Sequence, residues 1–124
     1  MAGQRVLLVE DSEFMAQQIA ETLSHYDIDV EVVHTAEAAR ETLDGGEIDC
    51  ILVNHDLPDE TGLEFSESIS SGTPIILLTA TSLDSLAADA IEAGITEFVH
   101  KDNLATGSMG VLANRIDVAI RAIQ

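Results

Sequence analysis

Five short runs of aliphatic and β-branched residues punctuate the chain at nearly even intervals. They are RVLLVE (5–10), DVEVV (29–33), CILVN (50–54), IILLT (75–79) and EFVH (97–100), and their starts lie 24, 21, 25 and 22 residues apart. Such runs predict β-strands. The first, third and fourth are apolar almost throughout, which is typical of strands buried on both faces of a parallel sheet. The second alternates Val30, Glu31 and Val32, which is typical of an edge strand.

The segments between these runs place apolar residues at helical spacing. The apolar faces of the first two predicted helices consist of Phe14, Met15, Ile19 and Leu23, and of Ala36, Ala39 and Leu43. Thr35 is placed to cap the second helix, and Gly45-Gly46 to end it. Further helices are predicted over 63–69, 82–93 and 111–123. An alternation of strand and helix repeated five times predicts an α/β fold, in which a parallel sheet carries helices on both sides, as one domain over residues 1–124.

The composition fits one folded domain with an aliphatic core. Hydrophobic residues make up 46% of the 124 residues and aromatic residues only 3%, so the interior must consist of Val, Ile, Leu and Ala. Cys50 is the single cysteine, which excludes an internal disulfide, and no Cys/His cluster indicates a zinc site. The sequence shows no apolar run long enough to span a bilayer, and its first residues lack the basic and then apolar pattern of a leader peptide. We therefore expect a soluble cytoplasmic protein without a membrane partner.

Acidic residues dominate the charge of the chain. There are 23 Asp and Glu against 5 Lys and Arg, a formal net charge of −18. Binding of nucleic acid by this domain is strongly disfavoured, because contacts to phosphates need clustered Lys and Arg. The excess of acid fits either a surface that meets a partner protein or adaptation to high salt, where self-repulsion is screened. We favour the adaptation to salt, because the acids are spread over nearly every predicted helix.

Polar residues follow the predicted strands at their carboxyl ends, which is where parallel α/β sheets carry function. They are Glu10 and Asp11 after the first strand, Asn54, His55 and Asp56 after the third, Thr79 after the fourth, and His100 and Lys101 after the fifth. Adjacent carboxylates repel, so Glu10 and Asp11 fit a divalent cation better than a helix cap alone. Lys101, the only lysine, is placed to offset acids such as Asp11. The histidines are interpreted as having no role.

The order and spacing of these residues resemble the receiver domain of two-component response regulators over essentially the whole chain. The matching parts are the acidic pair Glu10-Asp11, the loop Asp56-Leu57-Pro58-x-x-x-Gly62, the pair Thr79-Ala80 and the motif Phe98-x-x-Lys101. The resemblance implies a flavodoxin-like (βα)5 fold, a three-layer sandwich with strand order 2-1-3-4-5. It also implies that a histidine kinase donates a phosphoryl group to an aspartate with the help of Mg²⁺. Thr79 and Phe98 would form the pair that switches on phosphorylation.

The chain departs from the family pattern at the phosphoacceptor. The family has an aspartate four residues before the loop proline, whereas this chain has Asn54 there. A carboxamide is a poor nucleophile because its lone pair is delocalised, so we expect no ordinary phosphotransfer to this position. Asn54 also removes one anionic ligand, so Mg²⁺ at Glu10, Asp11 and Asp56 is expected to bind weakly. Asp56, two residues further along, is the alternative acceptor.

A second departure follows Lys101, where the family usually has a proline, often after a cis peptide bond. This chain has Asp102 at that position. A cis bond before a residue other than proline costs about 2.5–4 kcal/mol. We therefore expect a trans bond and a loop of different shape.

These observations predict a receiver-like signalling module that is not an enzyme and acts through protein–protein interaction. Its partner would be a histidine kinase or a downstream effector, and a homodimer is a further option. By resemblance, the binding surface would consist of the fourth predicted helix, the fifth strand and the last helix. Candidate apolar residues on these elements are Leu83, Leu86, Ile91, Val111 and Leu112.

Two other functions stay open at this stage. A conventional phosphoacceptor receiver would use a nearby carboxylate such as Asp56. A flavodoxin-like cofactor binder would use the same sheet, but the loop after the first strand reads Glu-Asp-Ser-Glu (10–13) and repels a flavin phosphate.

Overall fold

The computed structural model describes residues 4–69, 72–79, 95, 97–100 and 109–121, with the main chain alone at 97–100 and 109–111. The strands are β1 (Gln4–Val9), β2 (Ile28–Val33), β3 (Cys50–Asn54), β4 (Ile75–Thr79) and β5 (Glu97–His100). The helices are α1 (Glu13–Ser24), α2 (Ala36–Gly45), α3 (Gly62–Ser68) and α4 (Met109–Arg121). The helix predicted over 82–93 lies outside the described residues.

The five strands form one parallel sheet in the order β2-β1-β3-β4-β5. This confirms the α/β fold class and the strand order that the family resemblance implied. The three runs predicted for β3, β4 and β5 match the observed strands residue for residue. β3 and β4 are buried at every position, whereas β2 lies at the edge of the sheet and is partly exposed.

Alternate residues of each central strand point to opposite sides of the sheet, so the core has two halves. On one side Val6 and Leu8 of β1 pack with Ile19 of α1 and Ile116 of α4. On the other side Leu7 and Val9 pack with residues of α2 and α3, and Phe65 is the largest of them. The result is the predicted three-layer sandwich with an almost wholly aliphatic interior.

Side-chain caps set the starts of three helices. Ser12 accepts a hydrogen bond from the main-chain nitrogen of Met15, and Thr35 accepts one from Ala38, as predicted for the second helix. Thr61 begins α3 with a capping box, in which Thr61 and Glu64 satisfy each other's main-chain N–H groups. Each cap lies just after a loop at the carboxyl edge of the sheet, so the caps also position those loops.

One prediction for α1 is wrong. Phe14 was expected on the buried face, but it is 70% exposed. The buried stripe consists instead of Ala16, Ile19 and Leu23. These three lie at i, i+3 and i+7, whereas Phe14 is two residues before Ala16 and therefore on the far side of the helix.

Candidate functional site

Two buried polar residues lie side by side at the carboxyl edge of the sheet. Glu10 follows β1, and Asn54 ends β3. Because β1 and β3 are neighbours with Val9 opposite Val53, their next residues emerge together. Glu10 is 0% exposed and Asn54 is 3% exposed. Adjacent strands thus bring together two residues that are 44 positions apart in the sequence.

The amide nitrogen of Asn54 is the centre of this site. It lies 3.2 Å from Oε2 of Glu10 and 3.1 Å from Oδ1 of Asp11. It also lies 2.8 Å from the main-chain oxygen of Asp56. All three neighbours are acceptors, so the terminal atom facing them must be the amide nitrogen rather than the amide oxygen. We call these groups, the side chains of Glu10, Asp11 and Asn54 with the carbonyl of Asp56, the acidic pocket.

Glu10 is held by three hydrogen bonds, from the start of α1 and the end of β2. The main-chain nitrogen of Ser12, at the start of α1, lies 3.2 Å from its Oε2. Its own main-chain nitrogen donates to Val33 at the end of β2. Nδ1 of His34 donates to the carbonyl oxygen of Glu10 at 2.8 Å. Sequence reasoning had assigned His34 no role, since nothing in a lone histidine after an edge strand points to this contact.

The loop over 55–61 turns the Asp56 carbonyl towards Asn54. The main-chain nitrogen of Gly62 donates to the oxygen of His55 at 2.7 Å, and Asp56 pairs with Thr61 across the loop. The turn is tight, because a Cβ at Gly62 would lie 2.7 Å from the main-chain oxygen of Asn54. The Asp56 side chain is exposed, so this residue faces the pocket through its carbonyl oxygen.

Acidic residues of the same loop fasten it to α2. The carboxylate of Asp59 accepts hydrogen bonds from the main-chain nitrogens of Ala36 and Glu37, each at 3.1 Å. Desolvation is the largest single influence and raises the pKa of Asp59, but the hydrogen bonds and the charge of Arg40 together outweigh it and hold the pKa below its usual value. Asp59 therefore supplies a negative charge to the N-terminus of α2, where the helix dipole favours one.

Arg40 of α2 completes this attachment. It forms a two-pronged ion pair with Glu60 and donates to Oγ of Ser68, and its guanidinium lies 5.4 Å from the ring centre of Phe65. The hydrogen bond to Glu60 raises the pKa of Arg40 despite partial burial. We call Arg40, Glu60, Phe65 and Ser68 the Arg40 cluster. Sequence reasoning missed it, because Arg40 is 20 residues from Glu60 and 28 residues from Ser68.

The oxygen donors of the acidic pocket are of the type that Mg²⁺ prefers. The point on which they converge is taken by the Asn54 amide nitrogen, which donates and cannot ligate. Within the part of the chain that the structure describes, no group of three or more His, Cys, Asp or Glu side chains is placed to hold a metal.

The remaining predicted residues lie in β4, in β5, in the core or outside the described residues. Thr79 ends β4 and is 1% exposed. Phe98 is in β5, paired with Leu77. Lys101, and with it the predicted ion pair to Asp11 and the Lys101–Asp102 bond, lies outside the described residues, as do Leu83, Leu86 and Ile91. Leu112 is 1% exposed and belongs to the core.

Comparison with known proteins points to one family. The family model for the response regulator receiver domain matches residues 6–107. A protein-glutamate methylesterase/protein-glutamine glutaminase of Cereibacter sphaeroides is 33% identical over 124 residues, which cover 94% of this chain and 33% of that protein. The chain thus spans about a third of the length of this relative.

Solved structures show the same fold. The receiver domain of the Francisella response regulator 1452 matches with a TM-score of 0.87 at 20% identity, covering 98% of this chain and 100% of that chain. The chemotaxis response regulator CheY4 of Vibrio cholerae matches with a TM-score of 0.75 at 25% identity, covering 80% of this chain and 87% of that chain.

Among the described residues, no helix has both the length and the apolar character to cross a membrane.

Proposed function

The chain belongs to the response regulator receiver domain family of two-component signalling systems, and we propose that it is a receiver that is not phosphorylated at the usual position and acts through protein–protein interaction. Receiver domains are generally not enzymes. The methylesterase activity of the relative belongs to a protein of which this chain covers 33%.

The observation that carries the proposal is the position of Asn54. Its side chain points into the acidic pocket, where the family pattern has the acceptor aspartate, and its terminal nitrogen contacts both acids of the first-strand pair. A carboxylate at this point attacks phosphorus and leaves an acyl phosphate. An amide whose nitrogen is engaged by three acceptors has no electron pair to offer in that direction.

Asp56 is the weaker candidate for an acceptor. It contributes its main-chain oxygen to the pocket, and its side chain is exposed at the rim. An acceptor there would lack the buried setting of Glu10 and Asn54, which excludes water from the reacting atoms. We also set aside flavin binding, because the family match and the acidic loop at 10–13 both argue against it.

Receiver domains typically bind Mg²⁺ in an acidic pocket and interact with histidine kinases and effector domains. For this chain we propose that Mg²⁺ binds weakly at Glu10 and Asp11, since Asn54 is neutral. We propose that the partner, a histidine kinase or an effector, contacts β5, α4 and the segment 82–93. On α4, Val118 is 57% exposed and offers an apolar contact. A homodimer through this face is the alternative assembly.

Intact-mass measurement after incubation with phosphoramidate and Mg²⁺ tests the proposal. We expect the wild-type chain to gain no phosphoryl group and Asn54→Asp to gain one. Asn114→Asp is the matched control, because it adds the same charge at an exposed site on α4 and should gain none. A stoichiometric adduct on the wild-type chain that disappears in Asp56→Ala would overturn the proposal in favour of an Asp56 acceptor.

A further inference from the structure

The C-terminal ends of α1 and α2 carry exposed acids at a place where a helix favours cations. Glu21 lies in the last turn of α1 and Asp44 in the last turn of α2, and both are exposed. Neither last turn contains a basic residue. The carbonyl groups at a helix C-terminus carry partial negative charge, so they repel a carboxylate. Each of these two acids therefore destabilises the end of the helix that carries it.

The ion pairs of the described residues do not relieve this repulsion. These pairs are Arg5–Glu31, Arg40–Glu60 and Arg121–Asp117. Neither Glu21 nor Asp44 forms an ion pair with a described residue. Arg40 lies four residues before Asp44 on the same helix, but its guanidinium is engaged by Glu60. Dissolved cations are therefore the counter-charge that is left to these two carboxylates.

Both helices end at the same edge of the sheet, which we call the amino edge. Each helix returns the chain to the start of the next parallel strand, since α1 leads to β2 and α2 leads to β3. Further exposed acids lie in these connections or at the strand starts, namely Asp27 and Asp29 after α1, and Glu47 and Asp49 after α2. The repulsion at each helix end is thus reinforced by neighbouring carboxylates at the edge opposite the acidic pocket.

We propose that the last turns of α1 and α2 respond to salt: they fray at low ionic strength and close when salt screens their carboxylates. The screening length falls from about 10 Å at 0.1 M salt to about 3 Å at 1 M, which is shorter than one helical turn of about 5.4 Å. General screening is sufficient, so no ion has to bind at a fixed position. The inference does not rest on the proposed function, because it concerns the amino edge and requires no partner.

The same two helices offer a matched comparison, because each also begins with an acid. Glu13 lies in the first turn of α1 and Glu37 in the first turn of α2, and both are exposed. The N-terminus of a helix carries partial positive charge, so a carboxylate there is favourable. Removing two charges from the last turns and removing two from the first turns changes the net charge equally. Only the position along the helix differs between the two variants.

Thermal unfolding in low and high salt tests the inference, at a pH of about 8 so that histidine charge does not enter. For Glu21→Gln/Asp44→Asn we expect a melting temperature about 2–5 °C above wild type at low salt. The gain should disappear in about 1 M KCl or NaCl, whichever cation is used. For Glu13→Gln/Glu37→Gln we expect no gain. An equal gain for both variants, or a salt effect from only one of the two cations, would overturn the inference.

Amide hydrogen exchange shows whether the response is local to the helix ends. Helix α4 is the internal control, because its last turn contains Arg121 and therefore a favourable charge. We expect salt to slow the exchange of Leu23 and Ser24 in α1 clearly more than that of Ile120 and Arg121 in α4. Glu21→Gln should remove most of this difference. The same salt response in both helices would mean that salt acts on the whole fold, and would overturn the inference.

Discussion

The acidic pocket and the Arg40 cluster stabilise acidic side chains in opposite ways. In the pocket, a neutral amide that is 3% exposed donates to two carboxylates and a carbonyl. In the Arg40 cluster, a guanidinium on a side chain that is 37% exposed pairs with the carboxylate of Glu60. Both lie along the same loop, over 55–61, and both hold it in place.

The contrast teaches where each kind of contact is effective. A buried acceptor that loses its donor pays the full desolvation cost, because water does not replace the bond. A half-exposed ion pair regains water when it breaks, and salt screens it. The buried amide is therefore expected to matter more for stability than the charged guanidinium.

Asn54→Ala tests the buried side of this comparison and should have the largest effect. It removes the donor that serves Glu10, Asp11 and the Asp56 carbonyl, and we expect a loss of about 2–3 kcal/mol in the free energy of unfolding, measured by urea denaturation. Asn114→Ala, at an exposed helical site, should change stability by about 0.5 kcal/mol or less. Equal losses for the two variants would show that the pocket does not depend on the amide.

Gly62→Ala changes the end of the loop that joins the acidic pocket to the Arg40 cluster. The added Cβ would lie 2.7 Å from the main-chain oxygen of Asn54 and 2.9 Å from Cδ1 of Leu77. Backbone is less able to yield than a side chain, so we expect a loss of about 2 kcal/mol. Gly45→Ala, where nothing lies within 4 Å, is the control and should be neutral or slightly stabilising. If Gly62→Ala lowered the free energy of unfolding no more than Gly45→Ala does, the loop would be able to accommodate a Cβ at position 62, contrary to this geometry.

Arg40→Ala probes the exposed side. It removes the ion pair to Glu60 and the contact with the Phe65 ring, for an expected loss of about 1 kcal/mol. The loss should shrink in high salt, because the ion pair is screened. Arg5→Ala breaks a pair in which both side chains are about half exposed, and should cost about 0.5 kcal/mol or less. If Arg40→Ala lowered the free energy of unfolding as much as Asn54→Ala does, the buried amide would not contribute more to stability than the Arg40 cluster.

The smallest expected effect is a change in the pH dependence of stability at acidic pH. The pKa of Asp59 is lower in the folded chain than its usual value of 3.8. Its contribution to stability is therefore present above the usual pKa and is lost as the pH falls through the lowered one. We expect the difference in melting temperature between wild type and Asp59→Asn to narrow over that acidic range. Asp44→Asn, at the other end of α2, is the control. A difference that stays constant with pH would mean that Asp59 acts only as a hydrogen-bond acceptor.

The strands were predictable because burial on both faces leaves a local signature. The continuous apolar runs of β3 and β4 need no tertiary information, and their predicted bounds match the structure. Helix faces were less certain: Phe14 is apolar and was assigned to the buried face, but the buried stripe runs through Ala16 instead. The position of Asn54 at the end of a buried strand was also readable from its neighbours.

The Arg40 cluster and the contacts of Asp59 were beyond sequence reasoning. The carboxylate of Asp59 reaches main-chain nitrogens 23 and 22 residues away. In a chain with 23 acidic residues, nothing marks this one as the acceptor for the N-terminus of α2. Likewise, Asp56 was weighed as a carboxylate, whereas its main-chain oxygen is the atom that faces the pocket.

The amino-acid sequence by itself determined the alternation of strands and helices, the aliphatic core and the presence of an amide at the acceptor position. These follow from hydrophobic patterning and residue identity, which are local properties. Only the tertiary structure decided which atom of Asn54 faces which oxygen, and which acids of the 55–61 loop attach it to α2. Those contacts depend on how parallel strands bring distant residues to one edge of the sheet. Hydrogen bonds also require that donor and acceptor atoms lie at a specific distance and angle, which the sequence does not encode locally.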